Sequence, residues 1–94
     1  MTHQLVQPKK VIHKYEAHAK PLKIGWPARF LIGERQNGLN VFWIEETIRD
    51  EKDKVTIDFK LLNTGDEVPE GYAWVATYML LAGCYIEHLY AKAL

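Results

Sequence analysis

The sequence predicts a compact, mainly β domain, and three observations carry that expectation. First, Asn37-Gly38 sits between the apolar run Phe30-Leu31-Ile32 and the series Leu39, Val41, Trp43. Asn-Gly favours the positive backbone angles of a type I′ turn, the commonest two-residue hairpin connection. Second, residues 55–62 alternate cleanly. Val55, Ile57, Phe59 and Leu61 fall on one side, and Thr56, Asp58 and Lys60 on the other. A period of two puts one face in a core and one in water. Third, turn residues recur where hairpins need them, notably Pro21, Gly25, Pro27 and the Asn63-Thr64-Gly65-Asp66 run. Together these give about six antiparallel strands, arranged as a sandwich or a small open barrel.

In chain order, residues 1–9 read as a loose N-terminal tail with Pro8 closing it. The first strand runs over Val11 to Glu16, and Ala17 to Pro27 reads as an irregular connection. The second strand covers Ala28 to Arg35, and the third Leu39 to Glu46 across the Asn-Gly turn. Residues 49–54, Arg-Asp-Glu-Lys-Asp-Lys, form a solvated charged turn. The fourth strand is Val55 to Leu62. A loop through Pro69 to Gly71 leads to a fifth strand over Tyr72 to Met79. Leu80 to Gly83 turn the chain into a sixth strand over Cys84 to Tyr90, with a frayed end from Ala91. Ala, Leu and Met favour helix, so a short C-terminal helix from Ile86 is the competing expectation.

The chain has 94 residues, which is one domain's worth, 1–94. Twelve Lys plus Arg balance twelve Asp plus Glu, so the formal net charge is zero. Zero net charge counts against direct nucleic-acid binding, where neutralising phosphates dominates affinity. It also removes the self-repulsion that keeps proteins monomeric. Cys84 is the single cysteine, so an intrachain disulfide is excluded, in keeping with a reducing cytoplasm. The N-terminus lacks an apolar signal core. The apolar stretch from Gly71 to Ile86 is shorter than the roughly 18 residues of a spanning helix and is broken by glycine, so no membrane association is expected.

Motifs for chemistry are sparse. His13, Glu16 and His18 lie close in sequence, but on a strand His13 and His18 point to opposite faces, and a closed zinc set is missing. Cys84 and His88 on one strand stand about 13 Å apart, too far for a nucleophile pair, and Cys84 reads as a small buried filler. Glu45-Glu46, Asp58, Asp66 and Glu87 read as solvated carboxylates at strand ends and turns. No metal or cofactor is expected, and the chain reads as no enzyme.

The remaining signal is aromatic. Trp26, Trp43, Trp74, Tyr72, Tyr78, Tyr85 and Tyr90 exceed what so small a core readily hides. A symmetric homodimer is therefore expected, with Tyr85, Leu89 and Tyr90 in or near the contact.

Several segments carry a resemblance. Ile12-His13-Lys14-Tyr15-Glu16, Gly25-Trp26-Pro27-Ala28, Gln36-Asn37-Gly38-Leu39 with Trp43, Asn63-Thr64-Gly65 with Val68-Pro69, and Ile86-Glu87-His88-Leu89 are among them. Over residues 11–90 the chain resembles a family of small bacteriophage and prophage proteins with a domain of unknown function. The resemblance implies a phage-encoded accessory protein in the host bacterial cytoplasm. Small phage proteins of this kind bind and disable a host protein or protein complex, and an anti-defence target such as a CRISPR nuclease fits that pattern. Asp50, Asp53, Asp66 and Glu67, on two loops, are the candidate partner contacts. The competing expectations are a nucleotide-signal sponge, with Lys10, Lys14 or Arg29 on phosphate, and a virion accessory protein.

Overall fold

The computed structural model describes residues 8–49 and 54–94. Seven strands form: β1 (Lys9–Glu16), β2 (Leu22–Gly25), β3 (Ala28–Gln36), β4 (Leu39–Ile48), β5 (Lys54–Asn63), β6 (Ala73–Leu80) and β7 (Tyr85–Ala93). They make two antiparallel sheets, β1-β4-β3 and β2-β5-β7-β6, packed as a β-sandwich rather than a closed barrel. Among the described residues there is no α-helix, and Leu81–Gly83 is a single 3-10 turn. The charged turn of residues 49–54 falls largely outside the described residues.

The Asn-Gly prediction is met in detail. Asn37 and Gly38 have φ of 49° and 80°, and Gln36 pairs with Leu39 across them. The alternation of β5 is also met. Ile57 and Phe59 are buried, with Val55 and Leu61 packed against the same core. Phe42, Ile44, Tyr78 and Leu89 complete that core, and Phe30, Phe42 and Phe59 form a ring cluster with centroids 5.3–6.2 Å apart.

Three expectations are corrected. The connection from Ala17 to Pro27 contains β2, which leaves the first sheet to pair with β5 and buries Ile24. Four residues between prolines give no readable period, so only the tertiary pairing reveals this strand. The chain end is not frayed. Ala91 is buried, Ala93 pairs with Ile57, and the Leu94 N–H donates to the Thr56 carbonyl. That pairing makes the end strand rather than helix. Finally, Lys9 already belongs to β1, so the tail expected over 1–9 is shorter, and residues 1–7 lie outside the described residues.

Two glycines let the sheets close on each other at their two sides. A Cβ on Gly25 of β2 would stand 2.4 Å from the Thr47 carbonyl oxygen of β4. A Cβ on Gly33 of β3 would stand 2.4 Å from Ala76 Cβ of β6. Neither neighbour is the free end of a flexible side chain, so a larger residue must push the sheets apart.

Phe59→Ala is expected to cost about 3–5 kcal/mol of unfolding free energy, the usual range for emptying a buried phenylalanine site. Denaturant unfolding measures this, and a loss below about half a kilocalorie, typical of surface changes, would contradict the packing.

Candidate functional site

Three places concentrate functional groups, and the pleat determines each. The first is a buried carboxylate. Phe42, Ile44 and Glu46 share a parity on β4, so Glu46 is carried onto the core face and is 1 % exposed. Its donors come from both sheets. The Tyr15 hydroxyl donates to Oε2 at 2.6 Å, and His13 Nδ1–H donates to the same oxygen at 2.6 Å. The Gly25 N–H of β2 donates to Oε1 at 2.8 Å. Burial alone would raise the Glu46 pKa. The hydrogen bonds from Tyr15, Gly25 and His13 outweigh it and hold the carboxyl below its ordinary value. Burial and then the same carboxylate push the Tyr15 phenol well above its ordinary range. Both Glu46 oxygens are satisfied by the chain's own donors, so the cluster ties strands together rather than presenting a carboxylate to a substrate.

The second place is the outer face of the four-stranded sheet. The connection from β5 to β6 lies across it. The Tyr72 hydroxyl donates to Asp58, which raises the phenol's pKa, and Lys60 and Lys92 stand 5.5 and 5.7 Å from its ring. Val68 closes over Leu62, His88 and Tyr90 around a hollow of about 200 Å3. His88 bridges Thr77 and Thr64, with each ring nitrogen 3.0 Å from a hydroxyl, and Trp74 Nε1–H donates to Thr77 at 2.9 Å. The chain thus covers much of this face with its own loop.

The third place is the outer face of the three-stranded sheet, where Ile12 and Ile32 are exposed while Val41 and Thr47 are buried. Trp43 is directly opposite Ile32 on β3 and Lys14 on β1, and Ile12 is its diagonal neighbour. Ile12 is 60 % and Ile32 63 % exposed. Lys14 Nζ stands 6.0 Å from the Trp43 ring. Arg29, Lys10 and Glu45 close one end, with Glu45 3.7 Å from Arg29 and 3.8 Å from Lys10. By register Glu16 and Glu34 share the other end.

The expected sites distribute unevenly over this framework. Asp50 and Asp53 lie outside the described residues. Asp66 accepts the Asn63 N–H at 2.8 Å and so shapes its own turn, while Glu67 is exposed beside it. Lys10 and Arg29 do meet, but around Glu45, which already faces both cations. Among the described residues no group of His, Cys, Asp and Glu could hold a metal. His13 faces Glu46, and His18 pairs with Glu16 at 3.0 Å.

Two expectations are overturned, those for Glu46, which is buried and not a solvated carboxylate, and for Cys84. Leu89, expected in or near a self-association contact, is fully buried, whereas Tyr85 is exposed and Tyr90 partly so. Cys84 is exposed, not a buried filler. It follows the 3-10 turn, where Leu81 and Gly83 adopt positive φ. The Glu46 cluster was missed, although its parity with Phe42 and Ile44 was a readable signal.

Over residues 8–94 the chain matches the family described as Domain of unknown function (DUF7352), and it belongs to that family. No curated protein and no solved structure matches it. Among the described residues no helix is long and apolar enough to cross a membrane.

Two outcomes follow from this geometry. A group whose folded pKa is depressed stabilises the fold above its unfolded pKa, and that stability is lost as pH falls through the folded value. Unfolding free energy is therefore expected to fall as pH drops below about 4, the ordinary glutamate range. Glu46→Gln should flatten that fall and lower stability at neutral pH. Chemical denaturation across pH checks both, and an unchanged acid profile in the variant would contradict the cluster. Cys84 in the native protein is expected to react with a thiol reagent within about tenfold of the unfolded chain's rate, since nothing covers it. Strong native protection would contradict its placement.

Proposed function

We propose that this DUF7352 protein is a docking module that acts by stoichiometric binding to a partner protein, without turnover. The exposed apolar residues on the outer face of the three-stranded sheet carry this reading. An apolar stripe of Ile12, Trp43 and Ile32 crosses all three strands on a rigid scaffold, and charges close both ends of it. That is the anatomy of a protein interface, with an aromatic anchor at the centre and a polar rim. The rim favours a protein over a nucleic acid. Lys10, Lys14 and Arg29 are matched by Glu16, Glu34 and Glu45 on the same face. A polyanion wants uncompensated cations, whereas a mixed rim suits the mixed charges of a protein surface.

The target class in this proposal is a host protein or protein complex met by a phage-encoded accessory protein, an anti-defence setting included. The resemblance to phage proteins supports that part. Glu67 and the rest of the β5–β6 connection are a secondary contact in this reading, because that loop is held against its own sheet.

Ile12→Lys with Ile32→Lys tests it. Both side chains point to solvent, so the fold should survive, and circular dichroism checks that it does. Wild-type protein used as bait in host lysate is expected to retain a partner in fixed stoichiometry. The double variant should weaken that complex by about 2 kcal/mol or more, the scale of a hot-spot loss. Undiminished affinity in the folded variant, or conversion of many substrate equivalents per chain, would overturn the reading.

A further inference from the structure

A sandwich of two open sheets exposes four edge strands, and three of these are guarded. An unpaired edge is a template for another strand, and proteins blunt it with charge, bulges or shortness. Edge β1 carries Lys9, Lys10 and Lys14. Edge β2 is four residues long. Edge β3 carries Arg29, Glu34 and Arg35 and has a bulge between Phe30 and Ile32. Edge β6, Ala-Trp-Val-Ala-Thr-Tyr-Met-Leu, has no charged residue over its eight positions. Its bulge, between Trp74 and Ala76, lies at its start. From Ala76 to Leu80 it pairs without a break to β7 and leaves its other side open.

The side chains around this edge are apolar and exposed. Trp74 is 60 %, Met79 68 % and Leu81 78 % exposed. Their exposure contrasts with the rest of the four-stranded sheet, where the β5–β6 connection provides cover.

We propose that β6 pairs antiparallel with β6 of a second copy of this chain, joining two four-stranded sheets into one across a two-fold axis near Tyr78. A two-fold pairing centred there sets Thr77 opposite Met79 of the second copy and Ala76 opposite its Leu80. Thr77 and Met79 both face outward, and Ala76 and Leu80 both face the core, so the pleats agree on both sides of the axis. The bulge re-aims Trp74 to the outer face, at the end of the paired segment, toward Leu81 of the second copy. Each step of the pairing is uncharged, so it brings no like charges together. Self-pairing of β1 would set lysines against lysines near its centre, and β2 is too short to hold a partner.

The occupant is a second copy because the segment carries no charge to repel its own copy and the chain's formal net charge is zero. A closed two-fold contact also covers the same apolar side chains on both chains at once. The contact is made by the sheet opposite the docking face and adjoins that face only along β3, where Ile32 and Trp74 line one hollow. A dimer made this way would carry two docking faces.

The test uses the full chain. Light scattering at high micromolar concentration should give twice the chain mass, with dissociation on dilution. Hydrogen exchange should show the Ala76–Leu80 amides slowing as concentration rises, while those of the distant β1 edge do not. Met79→Lys with Leu81→Lys changes two exposed side chains and should weaken self-association by about tenfold or more, whereas Ile12→Lys should leave it unchanged. A monomeric wild type at high micromolar concentration overturns the proposal. So does a dimer whose β6 amides are indifferent to concentration, or one that survives the double variant. Protection of β6 only upon binding a different protein would overturn the second-copy assignment as well.

Discussion

Burying a carboxylate between two sheets obliges the surrounding chain to supply it with donors, and here the donors come from strands that otherwise share little. Glu46 stands on β4, accepts from Tyr15 and His13 of the neighbouring β1, and reaches across to the Gly25 N–H of β2 in the other sheet. An unsatisfied buried polar group costs on the order of 1–3 kcal/mol, so each of these bonds constrains where its strand can lie. Gly25 serves twice. Its N–H reaches the carboxylate, and its missing side chain lets β2 approach the Thr47 carbonyl. Thr47 in turn donates to the Pro27 carbonyl at 2.8 Å, which fixes the passage from β2 back into β3. The polar joint on this side and the Gly33–Ala76 contact on the other set how the two sheets close over the phenylalanine cluster.

That closure decides which surfaces are left for partners. The β5–β6 connection has to cross β7, and it does so over the outer face of the four-stranded sheet, held by Tyr72, Val68 and Thr64. On the three-stranded sheet, β3 and β4 are joined by two residues only, Asn37 and Gly38, so that connection covers no face. The covered face is thus a consequence of topology. Within the Ile12–Trp43–Ile32 stripe the two isoleucines are exposed and Trp43 partly so, and the edge strand β6 carries no charge.

The legible part of the fold was the part with local signals. Asn37-Gly38 announced the β3–β4 hairpin, and β5 announced its inward face through strict alternation. Strand β2 had neither length nor period, and only its pairing with β5 makes it a strand. Burial misled where residue averages replaced local geometry. Cysteine is commonly buried, but Cys84 follows the 3-10 turn and is exposed. Leu89 and Tyr90 are neighbours on a strand and face opposite ways, and Leu89 belongs to the core. Glu46 was legible in principle. It shares the parity of Phe42 and Ile44, and a carboxylate on a core face requires a set of donors. The donors themselves, thirty-odd residues away on β1 and twenty-one away at Gly25, leave no local trace in sequence.

The joint at Glu46 can be observed directly in the folded protein. Carbon-13 detection of the Glu46 side-chain carboxyl, followed through a pH titration together with the Gly25 amide proton, reads both ends of the inter-sheet bond. The expected result is a carboxyl that remains ionised below the ordinary glutamate range, with the Gly25 amide shifting in step with it. A Glu46 carboxyl that titrates at the ordinary glutamate value, with a Gly25 amide that does not respond to it, would contradict the role given to this bond in holding the two sheets together.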